Sequence, residues 1–237
     1  MRKMQSPRRV WGALVGCLLL LLGATAPVHC QLAGGQAGVG LPTASFARPP
    51  HDDPVAQGAQ PGFWLQALYL HPLGPVYLRT TCAIASFGEK EKTFTSAGTI
   101  AGFRHDVFSL GTGVEIDPWS ESTVRPFAHG GGGLYLYSGR AVDVGRGGQD
   151  TPIAREEFRF KWKLRFGVEF GGGFIVQLVP ELAQLRLSLA YTTVFSGELR
   201  GMVGYEAGAQ LFEYPYPYPA KRLDYLLLGL GLVFQLQ

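Results

Sequence analysis

Residues 156 to 170 read EEFRFKWKLRFGVEF, and no other stretch of the chain restricts the fold as sharply. Phe158, Phe160, Trp162, Leu164, Phe166, Val168 and Phe170 alternate with Arg159, Lys161, Lys163, Arg165, Gly167 and Glu169. In a strand, successive side chains point to opposite faces, so this pattern makes one face wholly apolar and the other basic. In a helix, a period of 3.6 would scatter the charges around the circumference, and aromatic residues fit a pleated surface better. The stretch is therefore a two-faced strand. In a soluble sandwich the cations would be solvated; in a membrane barrel the aromatic face would meet lipid and the cations would line the lumen.

The start of the chain bears on the compartment. Arg2, Lys3, Arg8 and Arg9 precede an apolar run from Trp11 to Ala26 that ends in small residues, the pattern of a secretory signal peptide over residues 1–30. The run is short of the ~20 residues that a spanning helix needs. Removal of the leader would take Cys17 and Cys30 with it and leave Cys82 alone, so no intramolecular disulfide framework is expected. The formal net charge of +3 includes the basic leader. A nearly neutral exported segment has no electrostatic footprint for nucleic acid.

Residues 31–61 are rich in Gly, Ala, Pro and Gln without a period, and read as a mobile N-terminal segment. From residue 62 to 237 short alternating runs are punctuated by Gly and Pro, as in antiparallel all-β structure. Strands are predicted near 63–71, 76–87, 93–104, 107–116, 124–138, 157–178, 184–195 and 225–236. The triplet Gly171-Gly172-Gly173 predicts a bulge or bend within the sixth. With a periplasmic N-terminus, the connections after the fourth and sixth strands are short and those after the fifth and seventh long, the asymmetry of outer-membrane barrels. The first two external loops come out unusually short.

The last strand distinguishes inside from outside. Leu226, Leu228, Leu230, Leu232, Phe234 and Leu236 form a bulky face, opposite Leu227, Gly229, Gly231, Val233 and Gln235. Leu185, Leu187, Leu189 and Tyr191 stand likewise opposite Arg186, Ser188, Ala190 and Thr192, and Phe108, Leu110, Thr112, Val114 and Ile116 opposite Ser109, Gly111, Gly113 and Glu115. A soluble sandwich would carry Lys, Glu and Thr on its wet face; small inward residues relieve crowding in a narrow barrel. The expected fold is an all-β, eight-stranded antiparallel up-and-down transmembrane β-barrel. The alternative is a soluble, lipocalin-like barrel with its aromatic faces turned inward around an apolar ligand.

The stretches TVRPFAHGGGGLYLYSG, LRFGVEFGGG, LRLSLAYTTVF and LDYLLLGLGLVFQL resemble the small outer-membrane β-barrel superfamily of the OmpA, OmpX and OmpW types. The resemblance covers roughly residues 62–237. It implies a bacterial outer-membrane protein, a monomer, with outer-membrane lipid, lipopolysaccharide included, as its surroundings. It also brings in precedent for barrel hydrolases acting on outer-membrane lipid. Where members of the group end on an aromatic residue, this chain ends Phe234-Gln235-Leu236-Gln237.

Three groups of residues are candidates for function. Glu115, Arg125, Glu169 and Arg186 fall inward near the periplasmic end, where two acids and two bases can pair as a structural plug. Arg159, Lys161, Lys163 and Arg165 form a basic ladder in the outer half of the lumen. Three things can face them: loop acids such as Asp143, Asp150, Glu156, Glu198 or Glu206, lipopolysaccharide phosphates at the rim, or anions in transit. Tyr214, Tyr216 and Tyr218 alternate with prolines in LFEYPYPYPAKR, which favours polyproline-like extension as an interfacial aromatic belt or an adhesive surface. No Ser, His and acid are spaced as a nucleophile and base, and His71, His105 and His129 stand on separate strands without ligand spacing. The sequence therefore predicts no catalytic site, no metal and no cofactor, and a structural, surface-binding or small-solute-passage role.

Overall fold

The computed structural model describes residues 31–47, 59–89, 92–94, 99–119, 122–144, 155–180, 182–197, 199–207, 210–218 and 222–236. The signal-peptide reading of 1–30 lies outside them. The strands are β1 (Gln31–Thr43), β2 (Ala59–Leu73), β3 (Val76–Glu89), β4 (Lys92–Phe94), β5 (Thr99–Ile116), β6 (Val124–Val144), β7 (Arg155–Val179), β8 (Ala183–Phe195), β9 (Leu199–Ala207), β10 (Gln210–Tyr218) and β11 (Leu223–Leu236), with one helical turn, α1 (Ala44–Ala47).

Eight of these strands close into an antiparallel ring in the order β1-β2-β3-β5-β6-β7-β8-β11, with β11 returning to β1. Every strand of the ring has a partner on both sides, so the barrel has no open edge. That closure is the condition for a sheet to sit in hydrocarbon, where an unpaired amide has no water to turn to. The remaining strands lie at one end. β4 pairs with the start of β5, and the β9–β10 hairpin extends the sheet from the first residues of β7.

The membership of the ring differs from the sequence-based expectation at two places. Gln31–Thr43, read as part of a mobile segment, is a full strand paired with β2 and β11. Its alternation escapes a hydrophobic pattern because both faces are small. A side chain at Gly38 would strike the Leu228 carbonyl of the neighbouring strand, so close approach rather than polarity dictates its composition. The predicted strands 93–104 and 107–116 are in turn a single strand, β5, which runs through Arg104-His105-Asp106 without a turn.

With β1 in place the connections alternate cleanly. β2 and β3, β5 and β6, and β7 and β8 follow one another at the end that also holds Gln31 and Leu236; β1 and β2, β3 and β5, β6 and β7, and β8 and β11 do so at the other. All the long connections are thus on one rim.

The predicted break at Gly171–Gly173 is absent. These residues pair in unbroken register with His129, Ala128 and Phe127, and the register of β7 shifts instead opposite Tyr137 and Gly139, between Phe160 and Lys163, and again near its end. The first shift is a bulge that divides the opening alternation. Below it Leu164, Phe166 and Phe170 face outward at 54–57% exposure and Lys163, Arg165 and Glu169 face inward. Above it the pairing places Arg159, rather than Phe158 and Phe160, on the face that Arg140 occupies.

The outer surface is an apolar band. Leu110, Val114, Leu134, Phe174, Leu187, Leu189, Leu228 and Leu230 are all 40–54% exposed on it, and Trp119 lies exposed in the short turn after β5. An apolar surface continuous around the ring is far larger than soluble proteins tolerate. The face of β7 that carries Phe166, Phe170 and Phe174 points out, opposite to the polarity of a barrel that turns it inward around an apolar ligand.

Leu230→Arg is expected to abolish most assembly in lipid, because a cation on the lipid face near the midplane costs about 2–4 kcal/mol. Gly229→Leu should fail for a different reason, collision with the Trp64 ring inside. Band-shift assays of folded barrel in lipid and in detergent separate the two: detergent should tolerate the arginine better than the leucine.

Candidate functional site

The interior is filled in two layers. Toward the long-loop rim lie Trp64, Phe87, Val107, Tyr137, Val194 and Tyr225, all at most 2% exposed. Phe46 of α1 enters this layer from the rim. Its ring meets Phe87 edge-on with centroids 5.2 Å apart, and His105 at the same distance. Ala44, at φ 48°, takes the left-handed conformation that swings the chain from β1 into the mouth. His105 is stacked near Tyr137, with Nδ1 and the phenol oxygen 2.7 Å apart.

Toward the short-turn rim the layer is ionic. Glu115 of β5 is bonded by Arg186 of β8, and by Arg79 of β3 at 3.1 Å. Arg79 also reaches Glu169 of β7 at 3.5 Å and donates to Gln66 of β2 at 3.1 Å. His129 Nε2 lies 3.4 Å from Glu169, and Thr192 Oγ1 donates to the same carboxylate. Ser188 donates to Gln36 of β1 at 2.9 Å. Since β3 and β8 are four strands apart around an eight-strand ring, the link Arg79–Glu115–Arg186 runs from one wall to the opposite one.

These ions are almost dry. Side-chain exposure is 0% for Arg186, 1% for Glu115 and 5% for Arg79. Burial of such groups is tolerable only when each is matched and further hydrogen-bonded. Arg186 gains an additional contact, its Cζ lying 4.4 Å from the centre of the Phe127 ring, a cation–π arrangement that replaces part of the lost hydration. Among Arg79, Thr81, His129, Tyr135 and Glu169 a cavity of about 20 Å³ remains, room for a single water.

The four residues singled out at this end are not one cluster of two against two. Glu115, Glu169 and Arg186 join one network whose central member, Arg79, sequence reasoning missed. Arg125 pairs separately with Asp117 of the following turn at 2.6 Å. Burial pushes the Asp117 carboxyl above the usual carboxylate range, and Arg125 draws it back. A signal for Arg79 existed: Thr81, Ala83 and Ala85 alternate as small inward residues, and Arg79 continues their parity.

The basic ladder is also divided. Lys163 and Arg165 are half-buried on the inner face. Arg165 Nε donates to the Ser196 carbonyl at 2.5 Å and Nη1 to the Leu164 carbonyl at 3.0 Å, so backbone oxygens rather than carboxylates receive it. Arg159 and Lys161 lie above and within the bulge, and the loop acids expected to cap the ladder lie outside the described side chains. Tyr214, Tyr216 and Tyr218 stand on β10, paired with Val203, Gly201 and Leu199. The Tyr-Pro repeat is therefore a strand of a hairpin rather than a free polyproline-like loop. Among the described residues no group of three His, Cys, Asp or Glu side chains is placed to hold a metal ion.

Removing Glu115 as Glu115→Ala leaves Arg79 and Arg186 buried with one fewer anion, and is expected to lower stability by about 3–5 kcal/mol. Adding Arg186→Met should restore a large part of that loss. Urea unfolding of the four proteins of this cycle in lipid measures it, and strictly additive losses would show that the two groups are uncoupled.

No protein-family model matches the sequence, and no curated protein does. Solved structures do. A major outer membrane protein from Thermus thermophilus is 12% identical, with 87% of this chain and 99% of that one covered at a TM-score of 0.56. Neisserial surface protein A is 15% identical (87% and 97% covered, TM-score 0.47), and the outer membrane protein OprG from Pseudomonas aeruginosa 11% (87% and 96%, TM-score 0.47). At these identities the likeness to the Thermus protein concerns the fold: a closed, eight-stranded, all-antiparallel β-barrel.

Proposed function

We propose that the chain is an exported, non-enzymatic barrel of the bacterial outer membrane whose lumen is closed, and that it acts as a membrane-held scaffold presenting its long connections at the cell surface. The observation that carries this reading is the ionic link from Arg79 through Glu115 to Arg186, which crosses the lumen between opposite walls. Above it the aromatic layer around Phe46 fills the mouth. Passage of a solute would require both layers to part, with buried charges separated in low dielectric.

Location rests on the apolar outer band and on the asymmetry of the connections, which matches short periplasmic turns and long external loops. The role of the surface is read from where material is added. The β9–β10 hairpin and β4 both lie on the long-connection rim and enlarge the sheet beyond the ring. Tyr214, Tyr216 and Tyr218 share one face of β10 by strand alternation, and that face is the surface-binding candidate.

In planar bilayers the reconstituted protein is expected to give no steady conductance at neutral pH. It should run as a heat-modifiable band and fractionate with outer membranes. Stable single-channel steps from the wild-type protein would overturn the closed-lumen part, and a soluble, heat-insensitive species would overturn the location.

A further inference from the structure

Beyond the ring, on the rim of the long connections, the sheet does not close. Thr93 of β4, Ile100 of β5, Val144 of β6, Arg155 of β7, Glu206 of β9 and Leu211 of β10 follow one another in register, so one row runs unbroken across six strands. These strands form an open antiparallel sheet that stands on the β5–β6–β7 part of the barrel. Unlike the ring, it has two outer strands. Among the described residues β4 pairs with β5 alone and β10 with β9 alone. The outer side of such a strand carries main-chain donors and acceptors in the geometry that a further strand needs.

The two outer strands differ. β4 has three residues, Lys92–Phe94, too few to direct much pairing. β10 has nine, Gln210–Tyr218, and is the edge at risk. In an antiparallel pair the N–H and C=O of one residue point to the same side, and successive residues point to opposite sides. Pro215 and Pro217 have no N–H, yet they stand in a ladder that runs without a shift from Gln210↔Ala207 to Tyr218↔Leu199. The bonds of that ladder therefore pass through Gln210, Phe212, Tyr214, Tyr216 and Tyr218. Leu211, Glu213, Pro215 and Pro217 turn their main chain to the open side.

Of the four residues on that side, only Leu211 and Glu213 keep a donor. A strand added there would leave its own carbonyls opposite Pro215 and Pro217 without a partner, and its backbone would meet the two pyrrolidine rings. The spacing in YPYPYP matters for this. Prolines two residues apart fall on one side of a strand, whereas prolines an odd number apart would also take donors from the bonds to β9.

We propose that Pro215 and Pro217 are a block against strand addition, which keeps the open sheet above the barrel from joining edge to edge with a second copy of the chain. Recognition at this surface is thereby left to the faces of the sheet. The block follows from the strand pairing and goes beyond the surface role proposed above, since it holds wherever the hairpin stands.

Analytical ultracentrifugation of the full-length protein in detergent, over a range of protein-to-detergent ratios, reads association. Amide hydrogen exchange of residues 210–218 reads where it occurs. The wild type should remain monomeric, with rapid exchange at Leu211 and Glu213. Pro215→Thr with Pro217→Thr restores two donors in residues that suit a strand. This variant should associate at least tenfold more tightly and slow the exchange at Leu211 and Glu213. Adding Glu213→Pro interrupts the restored donors and should return the protein to the wild-type state, although a charge has been removed as well. Heat-modifiability checks the folding of each protein, and Pro217→Thr alone serves if the double variant folds poorly. A folded double variant that stays as monomeric as the wild type overturns the block. Association that persists after Glu213→Pro overturns it too, because the contact then lies elsewhere, as does a wild type that already associates with Leu211 and Glu213 protected.

Discussion

Closure of the hydrogen-bonded ring is the constraint on which everything else depends. Once a strand faces hydrocarbon, each of its amides needs a partner on the neighbouring strand, and a single missing strand exposes two edges. The pairing of β1 with β11 meets that need. It explains why a strand almost without large side chains is retained: β1 contributes backbone, and its glycines allow β11 to come close. The barrel is therefore held by the main chain all round the ring, with fewer large side chains to add to it at the β1–β11 seam than elsewhere.

Closure with eight strands leaves an interior only wide enough for side chains. Glycines line part of it, and where they stand aside long polar groups cross the space. Arg79 and Arg186 reach the same carboxylate from opposite walls, so the lumen is at once packed and charged. A matched ionic layer is not a source of stability to be compared with an apolar core; replacing the whole layer with well-fitting apolar residues could be neutral or favourable. What it supplies is a penalty for mispairing, since shifting any of these strands by one residue would turn a charge into the lipid.

Much of this was legible in the sequence, and the parts that were not share a physical cause. The faces of β5, β8 and β11 could be read because bulky and small residues alternate there with period two. β1 could not, since Gly and Ala on both faces erase the period and only its partners make it a strand. Arg104-His105-Asp106 looks like a turn because it is polar, yet it is the part of β5 that leaves the apolar band, with His105 still buried inward. The bulge in β7 depends on which residue of β6 lies opposite, which no local pattern reports. Glu115, Glu169 and Arg186 could be nominated individually from inward parity; the joining of the two carboxylates by Arg79, and the diversion of Arg125 to Asp117, required the register.

The ring of Phe46 touches Phe87 on β3, His105 on β5 and Tyr225 on β11. Its seat is thus built from strands near the beginning, the middle and the end of the chain, while Phe46 itself belongs to the first connection. The residue cannot settle until the last strand has arrived. An early segment that waits for a late one couples the stoppering of the mouth to completion of the wall, so a half-assembled sheet would hold an unseated aromatic group at its rim.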